Sequence, residues 1–235
     1  MKEVPFVKNF LSIRLTKAEF ALWILSVTVV TLAFVIFGAF DPLTIAASLI
    51  GVTALIYVAK GHPLGQLLTI VFAVLYGVIS IRVRYYGEVI TYLGMTAPMA
   101  LLALITWLRN PYQDSAEVAV RRMRRRDVIV LLLLTAVVTA IFYFILRAMG
   151  NAALAVSTLS VTTSFLASCL TAMRSPWYAL AYAANDLVLI VLWVISSFAD
   201  SSGAAMAACF AMFFLNDMYG FVNWRRMEKR QGSRG

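Results

Sequence analysis

The sequence predicts an all-α integral membrane protein with eight transmembrane helices, and three observations predict it. Of its 235 residues, 62% are hydrophobic and 13% charged, against about half and a quarter in a soluble domain. The mean hydropathy is +0.87, and the apolar residues fall in runs of the length, about 20 residues of helix, that crosses a hydrocarbon core of roughly 30 Å. The charges gather between those runs in a pattern that only an even number of crossings explains. Lipid cannot satisfy an open sheet edge, and the runs are too uniformly apolar for the alternating strands of a barrel, so the spans are helices.

Splitting the chain at charges, prolines and small polar clusters gives the eight spans: Phe20–Phe37, Pro42–Ala59, Leu64–Ile81, Val89–Leu108, Val128–Leu146, Ala153–Met173, Trp177–Phe198 and Ala204–Trp224. Residues 1–19 carry Lys2, Lys8, Arg14 and Lys17 without the apolar core and cleavage site of a removable signal, so the first span reads as a retained helix. With residues 1–19 in the cytoplasm, only Arg82, Arg84 and Arg147 of the 20 Lys and Arg fall on the far side. That is the positive-inside pattern, with both termini cytoplasmic, and adding or losing a span would scramble it. The net charge of +9 is thereby a matter of topology. The run from Arg121 to Arg126, on the basic loop 109–127, reads as a topology determinant rather than a nucleic-acid or anionic-lipid site. A second basic segment, 225–235, ends the chain.

Catalytic chemistry lacks a starting point. Cys169 and Cys209 lie in apolar runs and the sole histidine, His62, stands beside a proline, so neither a metal-ligand spacing nor a disulfide framework exists, and no cofactor is expected. Asp114, Glu117, Asp127 and Glu228 sit among arginines that solvate them. No phosphate-cradling glycine loop or nucleophile motif is present. A membrane enzyme or a receptor scaffold is the weaker reading beside a carrier.

A faint internal repeat gives the plan. Lys60-Gly-His-Pro63 before the third span matches Met173-Arg-Ser-Pro176 before the seventh, and Met95 with Trp107 at the end of the fourth matches Met212 with Trp224 at the end of the eighth. Spans two to four (42–108) and six to eight (153–224) then start on the same face, inverted through the single linking span 128–146. Parallel three-helix repeats joined in this way form a transporter architecture with substrate near the midplane. The span 20–37 falls outside the repeat as an accessory helix. Small residues four apart, Ala47 with Gly51, Ala204 with Ala208 and Ala207 with Ala211, let backbones approach closely.

Polar side chains at depth are functional candidates because lipid penalises them. Asn185-Asp186 lies about eight residues, or roughly 12 Å, into the seventh span, and Asn216-Asp217 lies equally far from the end of the eighth, using 1.5 Å per residue. Antiparallel neighbours place the two pairs at one depth. Tyr182, Asp186 and Trp193 share a helical stripe, as do Asn216, Tyr219 and Asn223 on the eighth span. Trp107, Trp177 and Trp224 at helix ends have the position of interfacial anchors. Pro98 and Gly220 are candidate bends. No Lys or Arg lies in the core of a span, so a phosphate or carboxylate would lack its usual desolvated partner. The expected ligand is a neutral or cationic small molecule, partly planar and rich in hydroxyl or amide groups; a pyridinium riboside fits. A protonatable Asp could instead couple transport to protons.

The stretch from Gly77 to Glu88, Ala97-Pro98-Met99, Trp107-Leu-Arg-Asn110, Ser175-Pro-Trp-Tyr178 with Asn185-Asp186 and Trp193, and Leu215-Asn216-Asp217-Met-Tyr219-Gly220-Phe-Val-Asn223-Trp224 resembles the PnuC family of bacterial nicotinamide riboside transporters over roughly residues 42–230. The resemblance implies a three-plus-one-plus-three core related to the SWEET sugar carriers, homotrimers among membrane lipids in the bacterial inner membrane, and facilitated diffusion of nicotinamide riboside, trapped by cytosolic phosphorylation for NAD biosynthesis. It implies substrate-binding roles for Trp177, Tyr182, Asn185, Asp186, Trp193, Asn216, Asp217, Tyr219 and Asn223. The chain departs from many members at Phe72, Ala100 and Leu104, which leaves another cationic vitamin such as thiamine as the alternative cargo.

Overall fold

A computed structural model describes residues 15–38, 41–82, 86–113, 115–150, 153–198 and 202–232. Lys2, Lys8, Arg14, Arg84, Asp114 and Arg234 lie outside the described residues. Helix α1 spans Lys17–Ile36 and starts three residues before the span read from hydropathy, because Thr16 and Glu19 form a capping box there. The Glu19 amide donates to Thr16 Oγ1 at 3.3 Å and the Thr16 amide to Glu19 Oε2 at 2.7 Å, which satisfies two amides that the helix start leaves open. Helix α2, Pro42–Ala59, is capped by Asp41, which accepts from the Thr44 amide at 2.9 Å. Helix α3 spans Pro63–Arg82.

The fourth span is composite: α4 (Tyr86–Thr91), a π-helical turn (Tyr92–Thr96) and α5 (Ala97–Leu108). Pro98 lacks the N–H that Gly94 would receive in an α-helix, and the Ala97 amide reaches back five residues to the Tyr92 carbonyl. The irregularity at Pro98 is thus a widened turn inside a continuous span. Helix α6 covers Arg125–Ala148, α7 Leu154–Ala172, α8 Trp177–Ser197 and α9 Ser202–Gly232. Among the described residues eight spans, with α4 to α5 taken as one, are long and apolar enough to cross a membrane.

Helix α9 is the spine, packing against α8, α2 and α1. Gly51 shows how closely α2 and α9 approach: a Cβ there would stand 2.7 Å from the Phe213 ring. Gly220 is likewise a close-packing position within unbroken α9, facing the Tyr178 hydroxyl and Ala59. Helix α6 packs on α7 and leaves Ile129, Val130, Leu132, Leu133 and Phe144 more than half exposed, a face that lipid can solvate without penalty.

At the end of the bundle where the basic residues gather, two sets of contacts mirror each other. The Trp224 indole donates to the Val58 carbonyl at 2.9 Å, and the Trp107 indole donates to the Thr171 carbonyl at 2.9 Å. Asn223 Nδ2 reaches the Ala59 carbonyl at 2.8 Å; Thr106 Oγ1 reaches the Ala172 carbonyl at 3.1 Å. The α2–α3 turn passes through Gly61 at φ 66°, and the α7–α8 turn through Arg174 at φ 60°. The His62 amide donates to the Tyr57 carbonyl at 2.9 Å and the Ser175 amide to the Leu170 carbonyl at 3.0 Å, so both helices close with the same left-handed C-cap. The basic loop then crosses both turns: the Val118 amide donates to the Gly61 carbonyl and the Arg121 amide to the Arg174 carbonyl. The two tryptophan rings meet with centroids 5.3 Å apart.

Candidate functional site

A cavity of about 90 Å³ lies between α2, α3, the π turn, α7, α8 and α9. Its wall has two chemistries. From α2, α3 and the π turn come Phe72, Tyr92, Gln66, Thr69 and Thr96, and from α7, α8 and α9 come Tyr182, Asn185, Asp186, Asp217 and Phe213. Among the described residues, no Lys or Arg lines it.

The acidic side is held by hydroxyls on α7. Asn185 Oδ1 accepts from Thr163 Oγ1 at 2.9 Å and Ser160 Oγ at 3.3 Å, and the Tyr182 hydroxyl lies 3.0 Å from Ser168 Oγ. The carboxyl groups of Asp186 and Asp217 interact across the α8–α9 contact, and both residues are buried. Asp186 Oδ2 is buried without a hydrogen-bond partner. A buried carboxyl oxygen in that position is costly unless a hydrogen-bond donor or a positive group reaches it, and the pair is complementary to either.

Facing it is an aromatic cluster. The Phe72 ring stands edge-on to Tyr92 and to Phe213, each with centroids 5.9 Å apart, and Tyr76 lies 4.3 Å from Tyr92. Aromatic faces attract cations and flat rings alike. The wall therefore suits a planar cation that carries hydrogen-bonding groups.

Of the residues expected from sequence to bind substrate, Tyr182, Asn185, Asp186 and Asp217 are brought together here. The other five lie elsewhere. Trp177 is half exposed at the basic end, packed against Phe221 with the rings tilted by 47° and the Arg225 guanidinium 5.6 Å from its ring centroid. Trp193 packs against the apolar core around Phe34 and Val52. Asn216 donates to Ser26 Oγ of α1 at 2.8 Å, Tyr219 to Glu19 Oε1 at 3.3 Å, and Asn223 to the Ala59 carbonyl. That stripe of α9 faces its neighbouring helices, whereas Asp217, about 100° around the helix from Asn216, faces the cavity.

Gln66, Thr69, Tyr92 and Thr96 were not anticipated. Gln66, 3% exposed, carries the same signal as Asn185, an amide buried in an apolar helix, but it stands near the start of its span, where polar residues are ordinary. Threonine hydroxyls bond back to their own helix, as Thr69 does to the Gly65 carbonyl at 2.9 Å, and so give little sequence signal. The acidic residues of the basic end are paired with arginine: Asp127 with Arg121 at 2.8 Å, Glu117 with Arg230 and Glu228 with Arg225.

A sequence profile of the family described as "Nicotinamide mononucleotide transporter" matches residues 41–226. The chain belongs to this family. It is 20% identical to the nicotinamide riboside transporter PnuC of Neisseria mucosa over 215 residues, covering 89% of this chain and 82% of that protein. It is 24% identical to the nicotinamide riboside transporter PnuC of Haemophilus influenzae over 190 residues, covering 80% and 81%. A crystal structure of the vitamin B3 transporter PnuC superposes with a TM-score of 0.82 at 20% identity, over 97% of this chain and 99% of that one. This family member is a multi-pass, all-helical membrane protein of the transporter class. The family description names the mononucleotide and the relatives' names the riboside, and the two differ by a phosphate.

Proposed function

We propose that this protein carries nicotinamide riboside across the bacterial inner membrane by facilitated diffusion, with the cavity as its binding site. The observation that carries the reading is the wall itself: two interacting carboxyl groups, an amide, an aromatic cluster and, among the described residues, no Lys or Arg. The riboside offers a pyridinium ring, a carboxamide and ribose hydroxyls, each with a partner on that wall. The mononucleotide adds a phosphate, for which the described wall offers two carboxyl groups and no cation. Phosphorylation in the cytosol would then trap the cargo, because the product could not re-enter the cavity.

The mirrored contacts at the basic end support two parallel repeats, α2 to α5 and α7 to α9, joined by α6 with α1 outside. The cavity lies between those repeats, where rocking of one against the other would expose it to either side. The concentration of Lys and Arg at that end supports a cytoplasmic orientation for it, and with it for the start of α1 and the end of α9.

Calorimetric titration of the purified protein tests the cargo. Saturable binding of nicotinamide riboside, with nicotinamide mononucleotide at least 100-fold weaker, is the expected result. Equal binding of the mononucleotide would overturn the argument from the wall. A thiamine signal with riboside silence would keep the carrier and replace the cargo.

A further inference from the structure

Helix α1 contributes no residue to the cavity wall, yet its polar side chains reach the helices that do. Near its start Glu19 pairs with Lys60, the C-cap of α2, at 2.8 Å, and accepts from the Tyr219 hydroxyl of α9. One turn on, the Trp23 indole donates to Thr53 Oγ1 of α2 at 3.1 Å. At mid-depth Ser26 meets Asn216 of α9. Helix α1 therefore lies along the seam between α2 and α9, bonded to both.

The Ser26–Asn216 contact is fixed in direction. Ser26 Oγ donates its one proton to the Leu22 carbonyl at 2.8 Å, so toward Asn216 it can only accept. Asn216 Nδ2 donates to it at 2.8 Å and to the Met212 carbonyl at 2.7 Å. Both partners are acceptors, so the amide has one orientation. Ser26 is fully buried and Asn216 is 1% exposed, yet Asn216 Oδ1 has no hydrogen-bond partner. An apolar side chain would fill the same space without stranding a buried amide oxygen. The next residue, Asp217, lines the cavity.

We infer that Asn216 is a positioning residue anchored by Ser26: α1 sets the rotation and depth of α9 at this point, and so the placement of the Asp217 carboxylate in the wall. Ser26 is then part of the binding apparatus, although its helix lies outside the repeats. This rests on the reading of the cavity as a site for a cationic cargo.

The test compares a cation with its neutral counterpart in variants of α1. Nicotinamide riboside carries a pyridinium charge and the reduced, dihydro form does not, while the two keep nearly the same shape. In purified Ser26→Ala the affinity for the riboside is expected to fall about tenfold relative to the dihydro form, and Ser26→Thr, which keeps the hydroxyl, to restore it. Trp23→Phe, which loosens α1 on α2 alone, should leave that ratio within twofold of the unaltered protein. An unchanged ratio in Ser26→Ala, an equal loss for both compounds, or an equal effect of Trp23→Phe would overturn the inference. Failure of the unaltered protein to bind the riboside would instead strike the reading beneath it.

Discussion

The basic ends of the two helical halves are near duplicates, whereas their cavity walls differ in kind. At the ends each half repeats the same devices: a left-handed cap at Gly61 or Arg174, and an indole from the other half donating to the carbonyl of Val58 or Thr171. Within the cavity the first half presents Phe72, Tyr92, Gln66 and hydroxyls, and the second presents Asp186, Asp217, Asn185 and Tyr182. Those contacts end on backbone carbonyls, which every sequence supplies, and the side chain that reaches each is an indole in both halves. Recognition depends on side chains alone, and an asymmetric ligand needs an asymmetric wall. In this protein both carboxyl groups lie on one half, while aromatic rings come from both, Phe72 and Tyr92 from the first and Tyr182, Phe210 and Phe213 from the second.

The largest expected effect breaks the asymmetry at its acidic side. Asp217→Asn keeps the shape and removes a carboxyl group that can carry a negative charge. A charged hydrogen bond contributes about 1.5–3 kcal/mol, so affinity for a pyridinium riboside should fall roughly 10- to 100-fold. Asp186→Asn should behave alike, because the two carboxyl groups act as a pair. Titration of the purified variants measures both. Equal affinity in either variant would remove that carboxylate from the site and leave the aromatic side as the principal determinant.

The frame was largely legible in the sequence and the wall only in part. Helical spans announce themselves by composition, since lipid forces every crossing to be apolar. Pro98 marked an irregularity, although nothing in its neighbours distinguishes a kink from the π turn that formed. The second half of the wall was legible because Asn185, Asp186 and Asp217 are conspicuous at depth. The first half was not, because Phe72 and Tyr92 are ordinary residues for a membrane helix and only the fold sets them opposite the carboxylates. Periodicity grouped Asn216, Tyr219 and Asn223 on one stripe of α9 but could not say what the stripe faces. It faces α1 and α2, and that depends on where a helix distant in sequence docks.

A middle-sized effect probes the duplicated frame. Trp224→Phe and Trp107→Phe each remove one indole donor from a buried carbonyl and leave a small void, a cost of about 2 kcal/mol by hydrogen-bond and cavity terms together. Melting temperatures in detergent should fall by similar amounts in the two variants, with ligand affinity nearly unchanged because neither ring lines the cavity. A much larger fall in one would show that the halves share geometry without sharing the load.

The smallest effect isolates a position where the two turns differ in titration near neutral pH. His62 occupies the position in the first turn that Ser175 occupies in the second, each followed by a buried proline. Burial, with the nearby Lys60 charge adding to it, lowers the imidazole pKa from 6.5 to about 4. The neutral ring is also the form the turn uses, since Nδ1 accepts from the Leu64 amide at 3.1 Å. Between pH 6.5 and 4 the unfolded chain therefore binds more protons at this site than the folded one, and stability is lost as pH falls through that window. One pH unit below the ordinary value, near pH 5.5, the loss is about 1 kcal/mol. Replacing His62 by Ser makes the first turn resemble the second and removes the titration. Melting temperature followed from pH 7.5 to 5 should then decline more steeply in the unaltered protein than in His62→Ser. Parallel declines would show that the imidazole takes up its proton over the same pH range in the folded and unfolded chain, and that the first turn tolerates a charge its counterpart never has to accommodate.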